Sequence, residues 1–114
     1  MRFLSIYKAK ERNTPPTPEH QAEMGKLIEE MMRSGALLGT EGCLPSTKGA
    51  RIRIESGAFS VKDGPFTESK EVVGGFALLQ ANSKEEALEF TKKFLNVVGE
   101  GECEIRQLYE APAR

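Results

Sequence analysis

The apolar positions of this chain follow two periods, and the two alternate along its length. Near the start, Phe3, Ser5 and Tyr7 alternate with Leu4 and Ile6, which predicts a strand over residues 2–8. Both sets are bulky, so both faces of that strand are expected to meet something. A polar, Pro-rich loop spans 9–16. Thr17 then offers a capping oxygen, and Pro18 suits the first helical position because its missing N–H costs nothing there. Met24, Leu27, Ile28 and Met31 recur at the spacing of one buried helix face, and Ser34-Gly35 ends that helix.

Residues 36–44 read as a short strand interrupted by Gly39 and Gly42. Residues 50–55 and 58–62 then form a hairpin around Ser56-Gly57, a compatible two-residue turn. Ile52 and Ile54 alternate with Arg51, Arg53 and Glu55, and Phe59 and Val61 alternate with Ser60 and Lys62, so the hairpin is expected to have one wet face. Residues 76–81 are a strongly apolar strand. Ser83 with Glu86 makes a capping box that opens a second helix, whose apolar face is read as Ala87, Leu88, Phe94 and Leu95. Residues 102–109 alternate as the last strand, and 111–114 are expected to fray.

The order is β-α-β, a hairpin insertion, then β-α-β. It predicts an α+β, ferredoxin-like βαββαβ fold with an inserted β-hairpin, in one domain over 1–110. Two helices cover only one face of such a sheet. The other face keeps either Phe3 and Tyr7 or Leu4 and Ile6, and an apolar sheet face in water marks an interface, so a homodimer packing two such faces is expected.

Composition removes several classes. With 114 residues and a formal net charge of −1, the chain has no basic excess for nucleic acid. No apolar run approaches the roughly 20 residues of a membrane span, and the first residues read as a strand, so a cytoplasmic protein is expected. Cys43 and Cys103 lack the paired spacing of a zinc site and are expected to be reduced thiols. Phosphate-loop, dinucleotide, nucleophile-elbow and HExxH motifs are absent, and no metal or cofactor is expected.

Asp63 is the one aspartate in the chain. It opens the run Asp63-Gly-Pro-Phe66, which reads as a tight turn: aspartate bonding its own downstream backbone, glycine permitting positive φ, proline fixing the exit. Glu68, Lys70 and Glu71 follow, and then Gly74-Gly75, which permits close backbone approach of a strand, a ligand or a partner. The run Asp63–Phe66, with Glu68-x-Lys-Glu71 and Gly74-Gly-Phe76, resembles the signature of the DGPF group of YCII-related proteins. Ser34-Gly-Ala-Leu37, Glu41-Gly-x-Leu44, Ser83-x-Glu-Glu-Ala87 and Glu104-x-Arg106 agree with it over nearly the whole chain. The resemblance implies a dimeric α/β barrel built from two ferredoxin-like subunits, and it leaves the chemistry open among isomerases, cofactor-free monooxygenases and ligand-binding domains.

His20 is the one histidine, on the helix face of Met24, Leu27 and Met31. The resemblance implies a catalytic His–Asp pair with histidine early in the first helix; the partner here would be Asp63 or a glutamate such as Glu41. A half-buried histidine that ends the apolar face explains His20 as well. Arg106 alternates with apolar residues, so it is expected either to pair with Glu41 or Glu71 or to hold a ligand carboxylate. Tyr7, Lys70, Glu71 and Glu41 complete the candidate ligand-binding set; Tyr7 and Tyr109 serve equally as interface packing. Three functions remain: a small polar or aromatic ligand bound in a cleft beside the Asp63–Phe66 loop, a cofactor-independent isomerase or lyase with a His or Glu acid/base, or an interaction and assembly module.

Overall fold

The structure is a computed structural model that describes residues 1–12 and 14–110; the expected fraying of 111–114 lies outside the described residues. Six strands and two helices follow the expected order: β1 (Arg2–Ala9), α1 (Pro18–Ser34), β2 (Leu37–Gly42), a short 3-10 turn (Ser46–Lys48), β3 (Ala50–Glu55), β4 (Ala58–Asp63), β5 (Val72–Gln80), α2 (Lys84–Val98) and β6 (Glu102–Gln107). The main sheet runs β2-β5-β1-β6 with every neighbour antiparallel. With the hairpin β3–β4 set aside as its own two-stranded sheet, this is the ferredoxin-like strand order.

Local chemistry places the helices. Thr17 accepts a hydrogen bond from the His20 backbone N–H at 3.2 Å, Pro18 occupies the first turn, and Gly35 closes α1 at φ 83°. Ser83 caps α2 by accepting from the Glu86 N–H at 3.1 Å. Glu86 reaches back past the cap to accept from the Asn82 backbone N–H at 3.3 Å, one residue beyond the Ser83 N–H of a reciprocal capping box.

Register fixes the two sheet faces. Phe3 pairs with Leu79, Ser5 with Ala77 and Tyr7 with Gly75 on the helix side, while Leu4 pairs with Leu78 and Ile6 with Phe76 on the other. Phe3 is 1% exposed and centres a core with Leu37, Leu79, Ala81 and Ala87, against which Ile28, Met31, Ala77, Phe90 and Ile105 pack. Leu88, expected on the apolar face of α2, is exposed, whereas the inward side carries Ala87, Phe90 and Thr91. Thr91 lies there because its hydroxyl donates to the Ala87 carbonyl at 2.9 Å, which satisfies it within the helix.

Among the described residues no layer covers the opposite sheet face. It holds Leu4, Ile6, Leu78 and the exposed Phe76, with Lys8, Glu104 and Arg106 beside them. The Gly74-Gly75 pair serves close approach of neighbours within the chain. A Cβ on Gly75 would stand 2.7 Å from the Glu41 carbonyl oxygen of β2, and one on Gly74 would stand 3.0 Å from the Tyr7 ring.

Candidate functional site

Between α1 and the sheet lies a cleft of 1260 Å³, above the roughly 300–1,000 Å³ usual for a small-molecule site. It exists because α1 sits loosely: its apolar stripe of Met24, Leu27, Ile28 and Met31 is only half-buried, and none of its residues is fully enclosed. Phe90, Phe94 and Val97 of α2 and Leu79, Ala77 and Val73 of β5 supply the other apolar walls. The core closes the end near Phe3 and Leu79.

Polar groups also line the cleft. The Tyr7 hydroxyl donates to the Glu100 backbone carbonyl at 2.9 Å, and the Arg12 guanidinium meets the Glu100 carboxylate at 2.7 Å. The Tyr7 ring stands edge-on to Phe94, with centroids 5.2 Å apart and planes at 82°. Burial, and after it the Glu100 carboxylate, hold the Tyr7 phenol above its ordinary range, so it remains a neutral hydrogen-bonding group. Thr40 also lines the cleft, its hydroxyl donating to the Phe76 carbonyl at 2.8 Å. Arg12, Glu100 and Thr40 were not candidates on sequence; Arg12 stands in the polar 9–16 loop, where nothing in the local pattern distinguishes it from a solvated cation.

Of the candidates named from sequence, His20, Glu41 and Tyr7 line this cleft, and Asp63, Lys70, Glu71 and Arg106 do not. Among the described residues no hydrogen bond joins the His20 side chain to a carboxylate; the bond recorded for His20 is that of its backbone N–H. Arg106 sits on the far face of the sheet, opposite Leu4. There it is exposed and pairs with Glu104 at 3.3 Å, in place of Glu41 or Glu71. The reason is period two: residues two apart on a strand share a face, so Glu104 is the nearest carboxylate. Glu104 is held below the ordinary carboxylate range by its hydrogen bond from Lys8 and then by that from Arg106.

No residue of the Asp63–Phe66 loop lines the large cleft itself. Of its residues Phe66 alone lines a second, smaller hollow of 480 Å³, with Cys43, Leu44, Ser46, Arg51 and Val72. What the loop does is brace the root of the hairpin. The Ser46 hydroxyl accepts from the Phe66 N–H at 3.1 Å and donates to a Glu11 carboxylate oxygen at 2.7 Å, while the Ser46 N–H donates to the other oxygen. The Gly64 N–H donates to the Gly49 carbonyl at 3.0 Å. A Cβ at Gly64 would fall 1.6 Å from the Ser46 carbonyl oxygen, so glycine is required there for space. Its φ is not positive, so the conformational role expected of it does not apply.

Contacts of Arg51 and Lys62 complete the brace. The Arg51 guanidinium lies 3.9 Å above the Phe66 ring centroid and hydrogen-bonds Glu68 at 2.9 Å and Ser69 at 3.1 Å. Lys62 reaches the same Glu68 oxygen at 2.6 Å. Glu68 is held below its ordinary range, first by the Lys62 hydrogen bond. Asp63, singled out on sequence, is the last residue of β4 and pairs through its backbone with Ala50.

Among the described residues no group of three or more His, Cys, Asp or Glu is arranged to hold a metal ion, and no helix is long and apolar enough to cross a membrane. The chain is 32% identical over 87 residues to an uncharacterised protein of Rhizobium meliloti (strain 1021), an overlap of 75% of this chain and 70% of that relative. The YCII-related domain model matches residues 1–111, and the chain therefore belongs to the YCII-related family.

Proposed function

We propose that this protein binds a small, largely apolar or aromatic molecule with one polar end in the cleft between α1 and the sheet. The observation that carries the reading is the cleft itself: 1260 Å³, walled by Met, Leu, Ile and Phe side chains, with Tyr7, Arg12, His20, Glu41 and Glu100 also in its lining. Binding fits these residues better than an isomerase or lyase step does. The one imidazole has no carboxylate hydrogen-bonded to it among the described residues, and Arg106 lies across the sheet. The test is titration with 1-naphthol by fluorescence quenching, on the wild type and on Leu27→Glu. Because α1 has no fully buried residue, the variant is expected to fold and to bind at least about 10-fold more weakly. Equal binding by the two proteins removes the cleft from consideration. Turnover of any substrate that is abolished by His20→Ala would restore the enzyme reading.

We further propose a homodimer formed through the open sheet face, in the cytoplasm. The half-buried or exposed Leu4, Ile6, Phe76 and Leu78, together with Leu38 at 50% exposure, support the first statement, and the two free thiols support the second. A light-scattering mass of one chain at micromolar concentration contradicts the dimer.

A further inference from the structure

The hairpin β3–β4 is the least enclosed part of the molecule, and every one of its residues is exposed. Its turn is of the type that keeps hairpin strands together: Ser56 at φ 50° and Gly57 at φ 81° both lie in the left-handed region. Register pairs Ile52 with Val61 and Ile54 with Phe59, so these four side chains share one face. They are 70%, 64%, 60% and 74% exposed, respectively. The expectation of one wet face therefore becomes two, and the second is apolar. An isolated two-stranded hairpin is marginal in water, and monomers seldom present such a patch. The chain is correspondingly extended, with a radius of gyration of 16.1 Å against about 13 Å for a compact domain of this length.

The root of this arm is held firmly by Ser46, Gly64, Phe66 and the Arg51–Glu68–Lys62 contacts described above. A fixed root with an uncovered apolar face is the construction of an arm presented to something else. We infer that its occupant is a second copy of this chain, and that the apolar face of the arm clasps the partner subunit. Two observations point to a copy rather than a different protein. Charge is one. The arm, residues 50–63, holds Arg51, Arg53 and Lys62 against Glu55 and Asp63, a net +1; the whole chain is −1, so the remainder is −2. An arm of one sign and a body of the other are complementary between identical molecules.

Area is the other. Each large side chain removes roughly 100 Å² on burial, so one arm covers roughly 400 Å² of its own surface and about as much of its partner's. Two-fold symmetry repeats the contact, and two arms together remove roughly 1,600 Å², the size of a stable interface. This inference rests on the homodimer proposed above and assigns the contact that holds it.

Sedimentation equilibrium separates the two ideas. The proteins are the wild type, the double variant Ile52→Glu/Phe59→Glu, and a shortened arm in which residues 52–61 are replaced by an Asn-Gly turn. The shortening keeps the Arg51 and Lys62 contacts to Glu68 and so leaves the root intact. Circular dichroism and 1-naphthol binding report whether each variant keeps its body and cleft. A wild-type dimer that both variants weaken at least about 100-fold, with the body unchanged, is the expected result. A wild-type dimer with an unaltered dissociation constant in both variants overturns the arm contact and leaves the sheet-face dimer standing. A monomeric wild type at about 10 μM overturns both.

Discussion

The Gly64→Ala substitution is the sharpest structural test, because its cost follows from one distance. The added methyl would sit 1.6 Å from the Ser46 carbonyl oxygen and 2.6 Å from the Ser46 carbonyl carbon. Favourable contact between heavy atoms begins near ~3.5 Å, and the obstacle is backbone, which cannot swing aside as a flexible side chain does. Relief requires the 63–66 loop and the 46–49 turn to separate. Separation breaks the Gly64 N–H to Gly49 bond and the Phe66 N–H to Ser46 bond. Overpacking costs about 1–3 kcal/mol and each lost hydrogen bond about 1 kcal/mol, so the contact is worth roughly 3–5 kcal/mol.

Local opening of the loop limits how much of that appears as global destabilisation, so two measurements are needed. Urea unfolding reads the global part, and hydrogen exchange at the Gly49, Gly64 and Phe66 amides reads the local part. The expected result is a stability loss of at least about 2 kcal/mol or rapid exchange at those amides. Asp63→Ala serves as the comparison. Asp63 contributes backbone pairing to β4, which alanine keeps, so its effect is expected within about 0.5 kcal/mol. Wild-type stability and wild-type exchange in Gly64→Ala would refute the reasoning, as would a larger effect from Asp63→Ala.

Three further outcomes follow from the same geometry. Ser46→Ala removes the hydroxyl that joins Glu11 to the Phe66 N–H and is expected to cost about 1–3 kcal/mol in urea unfolding, with faster exchange at Phe66. Acid loosens the hairpin root: Glu11 and Glu68 titrate below their ordinary 4.5 in the folded state, so their stabilisation is present above that pH and is lost as pH falls through the lowered values. Protection of the Gly64 and Phe66 amides, taken relative to their intrinsic exchange rates at each pH, should accordingly fall below pH 4.5, and Glu11→Gln, which has no such proton to gain, should show less of the change. Tyr7→Phe loses the bond to the Glu100 carbonyl and about 1 kcal/mol; in an alkaline absorbance titration it also loses the phenol that ionises above the ordinary tyrosine range.

The elements were legible because their signals are local. Thr17, Pro18 and Gly35 bound α1 where their side chains and backbone preferences require, and Ser56-Gly57 closes the hairpin by the same logic. Alternation placed Phe3, Ser5 and Tyr7 on one face, and the register confirms that they share it. The site was legible only in part. His20, Tyr7 and Glu41 reach the cleft because strand and helix periods say which way a side chain faces. The role of Ser46 had no local signal, since it acts on Glu11 and Phe66, 35 and 20 residues away in sequence. The Asp63–Phe66 run drew attention to its aspartate, whereas the structure puts the constraint on the next residue, through contact with a backbone 18 positions earlier. Period also says nothing about what covers a face. Ile52, Ile54, Phe59 and Val61 read as inward and stand in solvent in the single chain.

The central claim is that the space between α1 and the sheet is a binding site. Amide chemical-shift mapping of the wild type during titration with 1-naphthol tests it most directly. The account predicts saturable shifts at Tyr7, Met24, Leu27 and Thr40, with residues 52–61 of the arm unaffected. Shifts confined to the arm or to the open face around Phe76, or no saturable shift at all, would contradict it.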